Sequence, residues 1–537
     1  MTFEPATLTA GLAALGPFML LLAGLAPRCW ANRHPARLGS LSEGLAWSAF
    51  GAATLAALSH FSRDEGAVEA GPAVLNLYYD ALSATLLPLV SFLGAVVIRY
   101  SRNYLDGDAG QGRFLRWLSL TAGSVLTLVI SGNLVLFTLA WMSTSLCLHQ
   151  LLVFYPDRPA ALLAARKKFV ISRLGDLSLI GAILLIHRAF GSLKFGDIFE
   201  IADTLHRAGV DEALSYGGPA LPWIGFLLVL GALLKSAQFP FHSWLPEVME
   251  TPTPVSALLH AGIINAGGFL IVRMSPVLVL APSALNVLAV LGAATALFGS
   301  VAMLTQTSIK KSLAFSTVGQ MGFMMLQCGL GAFSAAILHI VAHSLYKAHA
   351  FLSSGSIVDI AKAAWVPTAR KEPHPLHLCA ALGVAVALTF GTGLAFGISP
   401  LREPGMLVLG ATLQIALAYL LWNAFEGRLS LALAAWGISL ALLVSFSYFT
   451  LQLAFADLLR EALPEPRAER ALFDVLLMLA VLACFMAVLV LQTSFPDRAA
   501  SRLWQAAYVH VHNGLYISAL ANRLIRRHWP IDTKHST

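Results

Sequence analysis

Apolar runs about twenty residues long dominate this chain, and short polar stretches separate them. As helices, runs of that length cross a hydrocarbon core about 30 Å thick. About fifteen spanning segments are predicted, centred near Phe18, Ala52, Ser91, Ser124, Met142, Leu179, Leu230, Asn265, Leu291, Gly319, Ala342, Ala387, Gln414, Leu440 and Ala480. The longest connections run from about Phe190 to Pro219 and from about Phe455 to Arg470. The fold class is therefore an all-α polytopic membrane protein.

Charge between the runs supports the order. With the N-terminus outside, alternate loops collect the basic residues: Arg28, Arg33 and Arg37; Arg99, Arg102, Arg113 and Arg116; Arg158, Arg166, Lys167 and Lys168; Lys310 and Lys311; Lys362, Arg370 and Lys371. That asymmetry marks the cytoplasmic side, and a wrong helix count would destroy it. After Pro496 the pattern changes. Leu503, Ala507, Val511, Leu515 and Leu520 recur near helical spacing ahead of Arg523, Arg526 and Arg527. This predicts one amphipathic helix on the cytoplasmic face, either a surface anchor or a docking site for a soluble partner.

Composition removes other classes. The chain is 57% hydrophobic and 12% charged, whereas about a quarter of a soluble domain is charged. The net charge of +7 fits basic inside loops, and no basic run with interleaved aromatics suggests nucleic acid. Cys29, Cys147, Cys328, Cys379 and Cys484 are scattered, without disulfide or zinc-site spacing. The start Met1-Thr2-Phe3-Glu4 lacks the basic opening of a cleaved signal, so the first apolar run is expected to be retained.

Against this background, ionisable residues inside apolar runs call for a reason. Lys235 ends the run that begins at Trp223, with Pro240 and Pro246 soon after. Proline breaks a helix, so Lys235 is placed beside unwound carbonyls or water. A lysine taken out of water can exchange its proton, while the bland alternative is snorkelling to the membrane edge. His339, His343 and Lys347 follow at steps of four, so they share one helix face as a ladder about 12 Å tall. Histidine titrates near neutrality, which suits stepwise proton transfer; interhelical hydrogen bonding is the structural alternative. His349 lies off that face. His260 is a lone intramembrane histidine, a type more often structural. Asp176 follows Arg173 by three residues, so it either pairs locally or faces Lys235 and makes a switchable pair. Lys310 and Lys311 read as topology determinants.

From Lys235-Ser236-Ala237-Gln238-Phe239-Pro240-Phe241-His242-Ser243-Trp244-Leu245-Pro246 through Pro252-Thr253-Pro254-Val255-Ser256-Ala257-Leu258-Leu259-His260-Ala261, the chain resembles the antiporter-like subunits of respiratory complex I and Mrp antiporters. Ile309–Thr317, His343–Ala348 and Phe351–Ser356 extend the likeness, which runs from about Tyr79 to Ile360. The resemblance implies two inverted five-helix repeats, each with a broken helix, and a midplane line of charge through Asp176, Lys235, His260, His339, His343 and Lys347. The corresponding division is 1–105 for N-terminal helices, 106–280 and 281–427 for the repeats, 428–495 for C-terminal helices and 496–537 for the tail.

The departures from the family pattern also carry information. Where the family places a glutamate after the fifth-helix tryptophan, Met142 follows Trp141, and Asp176 is the candidate replacement. Leu388–Gly397 lacks the lysine of the second broken helix, and the long lateral helix is absent. These losses, the length and the tail Tyr508-Val509-His510-Val511-His512-Asn513-Gly514-Leu515-Tyr516 look most like membrane subunits of prokaryotic inorganic-carbon accumulation systems. That resemblance implies a cytoplasmic-membrane subunit that passes protons (or sodium) to drive CO2 hydration in a DabA-like zinc partner similar to a β-carbonic anhydrase. No cofactor and no catalytic residue are expected in this chain itself. The competing readings are a proton-pumping subunit of a respiratory or CO2-hydrating dehydrogenase or Mrp-type antiporter, and a mainly structural anchor for a cytoplasmic enzyme.

Overall fold

The computed structural model describes residues 5–63, 66–72, 74–209, 216, 218–355, 375–397, 404–425, 431–464, 472–498 and 501–529. Helical residues occur at every expected centre, with Asn265 in a 3-10 turn. Among the described residues, nine helices are long and apolar enough to cross a membrane, and three shorter apolar helices accompany them: Ala220–Lys235, Leu409–Trp422 and Val475–Val490. The Ile309–Gly329 and Phe333–Leu352 helices fall outside that group. They carry Lys310, Lys311, His339, His343 and Lys347, and those polar residues lower their hydropathy.

Local chemistry sets the ends of the helices. Asp80 caps Ala81–Tyr104 by accepting from the Ser83 amide at 2.9 Å, and Asn133 caps Leu134–Leu152 through the Leu136 amide at 2.7 Å. A short antiparallel hairpin, Val68–Ala70 with Leu77–Tyr79, leads into Asp80. The connection expected as a loop from Phe190 contains a helix, Phe195–Ala208. It buries Phe195, Ile198, Ala202 and Leu205, a helical stripe that the long-run criterion overlooks.

Two consecutive helices are broken. Ala220–Lys235 stops before Pro240, and the chain continues through short turns to Glu250. The next helix is interrupted at Gly262, between Thr253–Ala261 and Ala266–Arg273. The breaks are stitched together: Ser236 Oγ donates to the Ile264 carbonyl at 2.6 Å, and Asn265 Nδ2 donates to the Ala261 carbonyl at 2.9 Å and Ser344 Oγ at 2.8 Å. A Cβ on Gly267 would run into Ser236 Oγ and the Ala232 carbonyl, so only glycine allows this approach. Nearby, Pro282–Thr305 packs against Ile309–Gly329 through Gly292, Gly299, Gly319 and Gly322, whose bare faces bring the two backbones into contact.

The tail departs from the single helix expected. It forms two helices, Arg502–His512 and Ile517–His528, around a turn in which Gly514, Leu515 and Tyr516 all have positive φ. A helix cannot pass through left-handed backbone, so the apolar periodicity continued across a bend it did not reveal.

Candidate functional site

Lys235 is buried, 7% exposed, at the end of its helix. Its ammonium donates to the Trp141 carbonyl at 3.2 Å and lies 4.3 Å from the centre of the Trp141 indole. Asp176 is also buried, but its carboxylate is engaged by Arg173 at 2.8 Å, the local i,i+3 pair. Of the two pairings open to Asp176, the structure shows the local one with Arg173 and no direct pair with Lys235 among the described residues, because the neighbour on its own helix reaches it first. Asp176 remains within electrostatic range of Lys235.

His260 is fully buried against the Phe351 ring, with centroids 4.4 Å apart. Its Nδ1 is 3.0 Å from Thr317 Oγ1, and that hydroxyl donates to the Leu313 carbonyl at 3.0 Å. The Thr317 proton is thus committed, so His260 Nδ1 carries the hydrogen and Nε2 presents a bare lone pair. That atom is buried without a hydrogen-bond partner. His343 Nε2 donates to the His260 carbonyl at 3.2 Å. Lys347, 0% exposed, donates to Ser316 Oγ at 2.8 Å and to the same Leu313 carbonyl at 3.3 Å. Thus Lys347 and Thr317 meet on one carbonyl, and His260 joins them through the Thr317 hydroxyl.

His339 lies further along the same face, its ring 5.9 Å from that of His343. It opens into a cleft of about 400 Å3 that is also lined by His343, Gln320, Gln327, Tyr448 and Gln452. The Nε2 of His339 and the amide oxygens of Gln327 and Gln452 are buried there without protein partners. Unsatisfied polar atoms around a space of that size are a setting for water. His349 is exposed, off the shared face. Lys310, half-buried, donates to Thr253 Oγ1 at 3.2 Å at the start of the interrupted helix.

Three groups escaped the sequence reading. Lys167 and Lys168, taken as loop residues, lie buried within the Pro159–Phe190 helix, because Pro159 starts it a full two turns earlier. Lys168 donates to the Ser145 carbonyl and hydroxyl, both at 2.8 Å. The steps Lys168, Ser172, Asp176 were the available signal. Lys167 pairs with Glu247 at 2.7 Å, and Glu247 also accepts from Ser518 and from Asn522 at 3.1 Å. The tail is therefore pinned to the segment after the first break. Tyr508 and His512 add bonds to the Thr305 carbonyl at 3.1 and 2.9 Å, and Arg166 donates to the Trp529 carbonyl at 2.7 Å. The third group, the buried pair Asp80–Arg273 at 2.6 Å, joins residues with no local sequence relation.

Replacing both Ser518 and Asn522 with Ala should release the Ile517–His528 helix by about 1–3 kcal/mol, since the Glu247 carboxylate loses two donors. Amide hydrogen exchange of that helix should quicken, and unchanged protection would show that the latch contributes nothing.

This arrangement can be set beside known proteins. Residues 131–364 match the transmembrane region of NADH:quinone oxidoreductase and Mrp antiporters, and residues 69–115 match the N-terminal region of complex I chain 5. The chain is 39% identical over 545 residues to "Probable inorganic carbon transporter subunit DabB2" of Halothiobacillus neapolitanus, covering 99% of this chain and 96% of that relative. It is 43% identical over 280 residues to NAD(P)H-quinone oxidoreductase chain 5 of Synechocystis, where it spans only 40% of the relative. A chain of the Mrp complex from Dietzia sp. DQ12-45-1b superposes with a TM-score of 0.61 at 24% identity, covering 99% of this chain and 60% of that one. Such a likeness speaks for the fold alone. The interrupted helices and buried lysines thus sit on a scaffold shared from end to end with a close relative, and the chain belongs to the DabB family within the antiporter-like membrane subunits of complex I and Mrp.

Proposed function

We propose that this chain is the proton-conducting subunit of an energy-coupled inorganic-carbon uptake complex in a prokaryotic cytoplasmic membrane. Its N-terminus lies outside and its C-terminal tail lies in the cytoplasm. Protons enter by the cleft at His339, pass His343, His260 and Lys347, and reach Lys235 and Asp176. The energy released drives one-way CO2 hydration in a zinc-containing, DabA-like partner bound on the cytoplasmic side. Each charge crossing the membrane is worth about 2.3 kcal/mol per 100 mV, enough for one or two protons to bias hydration strongly.

The observation that carries this reading is the run of exchangeable side chains buried between the cleft and the paired helix breaks, on a chain 39% identical throughout to a DabB2 relative. The hydration chemistry is assigned to the zinc-containing partner as part of the same proposal. The dehydrogenase reading draws on the 43% identity to chain 5, but that match spans 52% of this chain.

In cells carrying the chain and its partner, a protonophore should reduce inorganic-carbon uptake to background, whereas a sodium ionophore should not. Uptake that ignores the protonophore would sink proton coupling. The protein that co-purifies should contain zinc.

A further inference from the structure

Two buried amines reach the same helix from different neighbours. Lys168 donates to the Ser145 carbonyl, and Lys235 donates to the Trp141 carbonyl. Those carbonyls are four residues apart on Leu134–Leu152, so they stack one turn apart with a rise of about 6 Å. Lys168 is 3% exposed, about as deeply buried as Lys235. Arg173 joins the group by donating to Ser145 Oγ at 3.3 Å, and His149 and Cys147 lie within electrostatic range of Lys168. Among the described residues, Asp176 is the one carboxylate acting on either amine. Arg173 already occupies it.

The charge count decides what this cluster can hold. With both lysines protonated, three cations would share one anion, two of them the buried ammonium groups and the third the partly exposed Arg173. Two ammonium groups held on carbonyls one helical turn apart repel each other in such surroundings. Among the described residues neither amine has a carboxylate of its own to offset that repulsion, and Met142 supplies none beside Trp141.

We propose that Lys168 is a second proton-carrying residue, and that Lys168 and Lys235 form a two-amine relay sharing one proton. The inference rests on the proton-conducting role proposed above. A proton passes from the Lys235 ammonium through a bridging water to the free amine of Lys168, so one N–H bond breaks, one forms, the water gives up one proton as it takes another, and no electrons change hands. Ser145 lies nearer than Trp141 to the end of the bundle where Lys167, Glu247 and the tail meet, so the transfer carries the proton toward that end. When a second proton arrives at Lys235, repulsion drives the first off Lys168 onto water at that end, which restores the free amine. Coupling in this pair works by repulsion between two amines, without an ion pair.

The test is proton flux into proteoliposomes containing the full complex, followed with a pH-sensitive dye. Lys168→Gln keeps an amide that can donate to Ser145, so it should assemble, yet flux should fall at least tenfold. Lys168→Met should behave alike. Lys168→Arg keeps the charge and the hydrogen bonds but does not release its proton, so it should fail as completely as Lys168→Gln. Lys168→His should retain part of the flux with its pH optimum moved to the acid side. Wild-type flux in either Lys168→Gln or Lys168→Arg would overturn the relay. Lys235→Ala is measured beside them. If Lys235→Ala is silent while Lys168→Gln conducts normally, only the relay fails; if Lys235→Ala conducts normally, the proton-conducting role itself fails.

Discussion

Lys235→Ala should lower proton flux and carbon uptake by roughly 10²- to 10⁴-fold, the range typical when a positioned proton-transfer group is removed. The complex should still assemble. Lys235 is buried against a carbonyl and an indole, without a direct ion pair among the described residues. Removing it leaves no partner charge stranded, and the small cavity forms where the helix already ends, at Ser236. Lys235→Arg separates charge from exchange. A guanidinium can still sit over the Trp141 ring, but it does not give up its proton, so flux should stay low. Uptake at the wild-type level in an assembled Lys235→Ala complex would remove the reason for placing a proton path through the first helix break.

Asp80→Ala should have the largest effect on stability. Arg273 and Asp80 are both buried, and the guanidinium also donates to Ser83 Oγ at 2.7 Å. The alanine variant leaves Arg273 uncompensated away from water, which costs about 3–5 kcal/mol. Arg273 is the last residue of the interrupted Thr253–Arg273 segment, so the loss should loosen the helix that carries His260. Thermal unfolding of the detergent-solubilised complex should show a clearly lowered midpoint. The paired variant Asp80→Ala with Arg273→Leu should recover much of the loss, because no charge then remains buried. Arg207→Ala is the control: its partner Asp203 is 53% exposed, and a surface pair of that kind contributes about 0–1 kcal/mol. Equal midpoints for Asp80→Ala and Arg207→Ala would show that the buried pair does not hold the segment.

The tail latch ties these regions to the exposed C-terminal helix. Ser518 and Asn522 face Glu247, while Leu520, Arg523 and Leu524 point outward. One short helix thus touches the segment following Lys235 on its inner side and presents an exposed face on the other.

Sequence alone determined the membrane class, the position of the helices and the shared face of His339, His343 and Lys347. Each of these depends on short-range regularity: twenty apolar residues in a row, or polar residues four apart. It also located the first break, since Pro240 and Pro246 act on their own backbone. Tertiary structure decided which charges meet. The partner of Asp80 lies 193 positions away, and the tail reaches Glu247 from 271; no periodicity encodes such pairs. It also moved Lys168 from an apparent loop into the interior and gave Asp176 to Arg173. Hydropathy reports how long an apolar run is. It does not report which turn of a helix faces a neighbour, and that orientation, fixed by packing, determines whether a buried amine finds a carboxylate, a carbonyl or another amine.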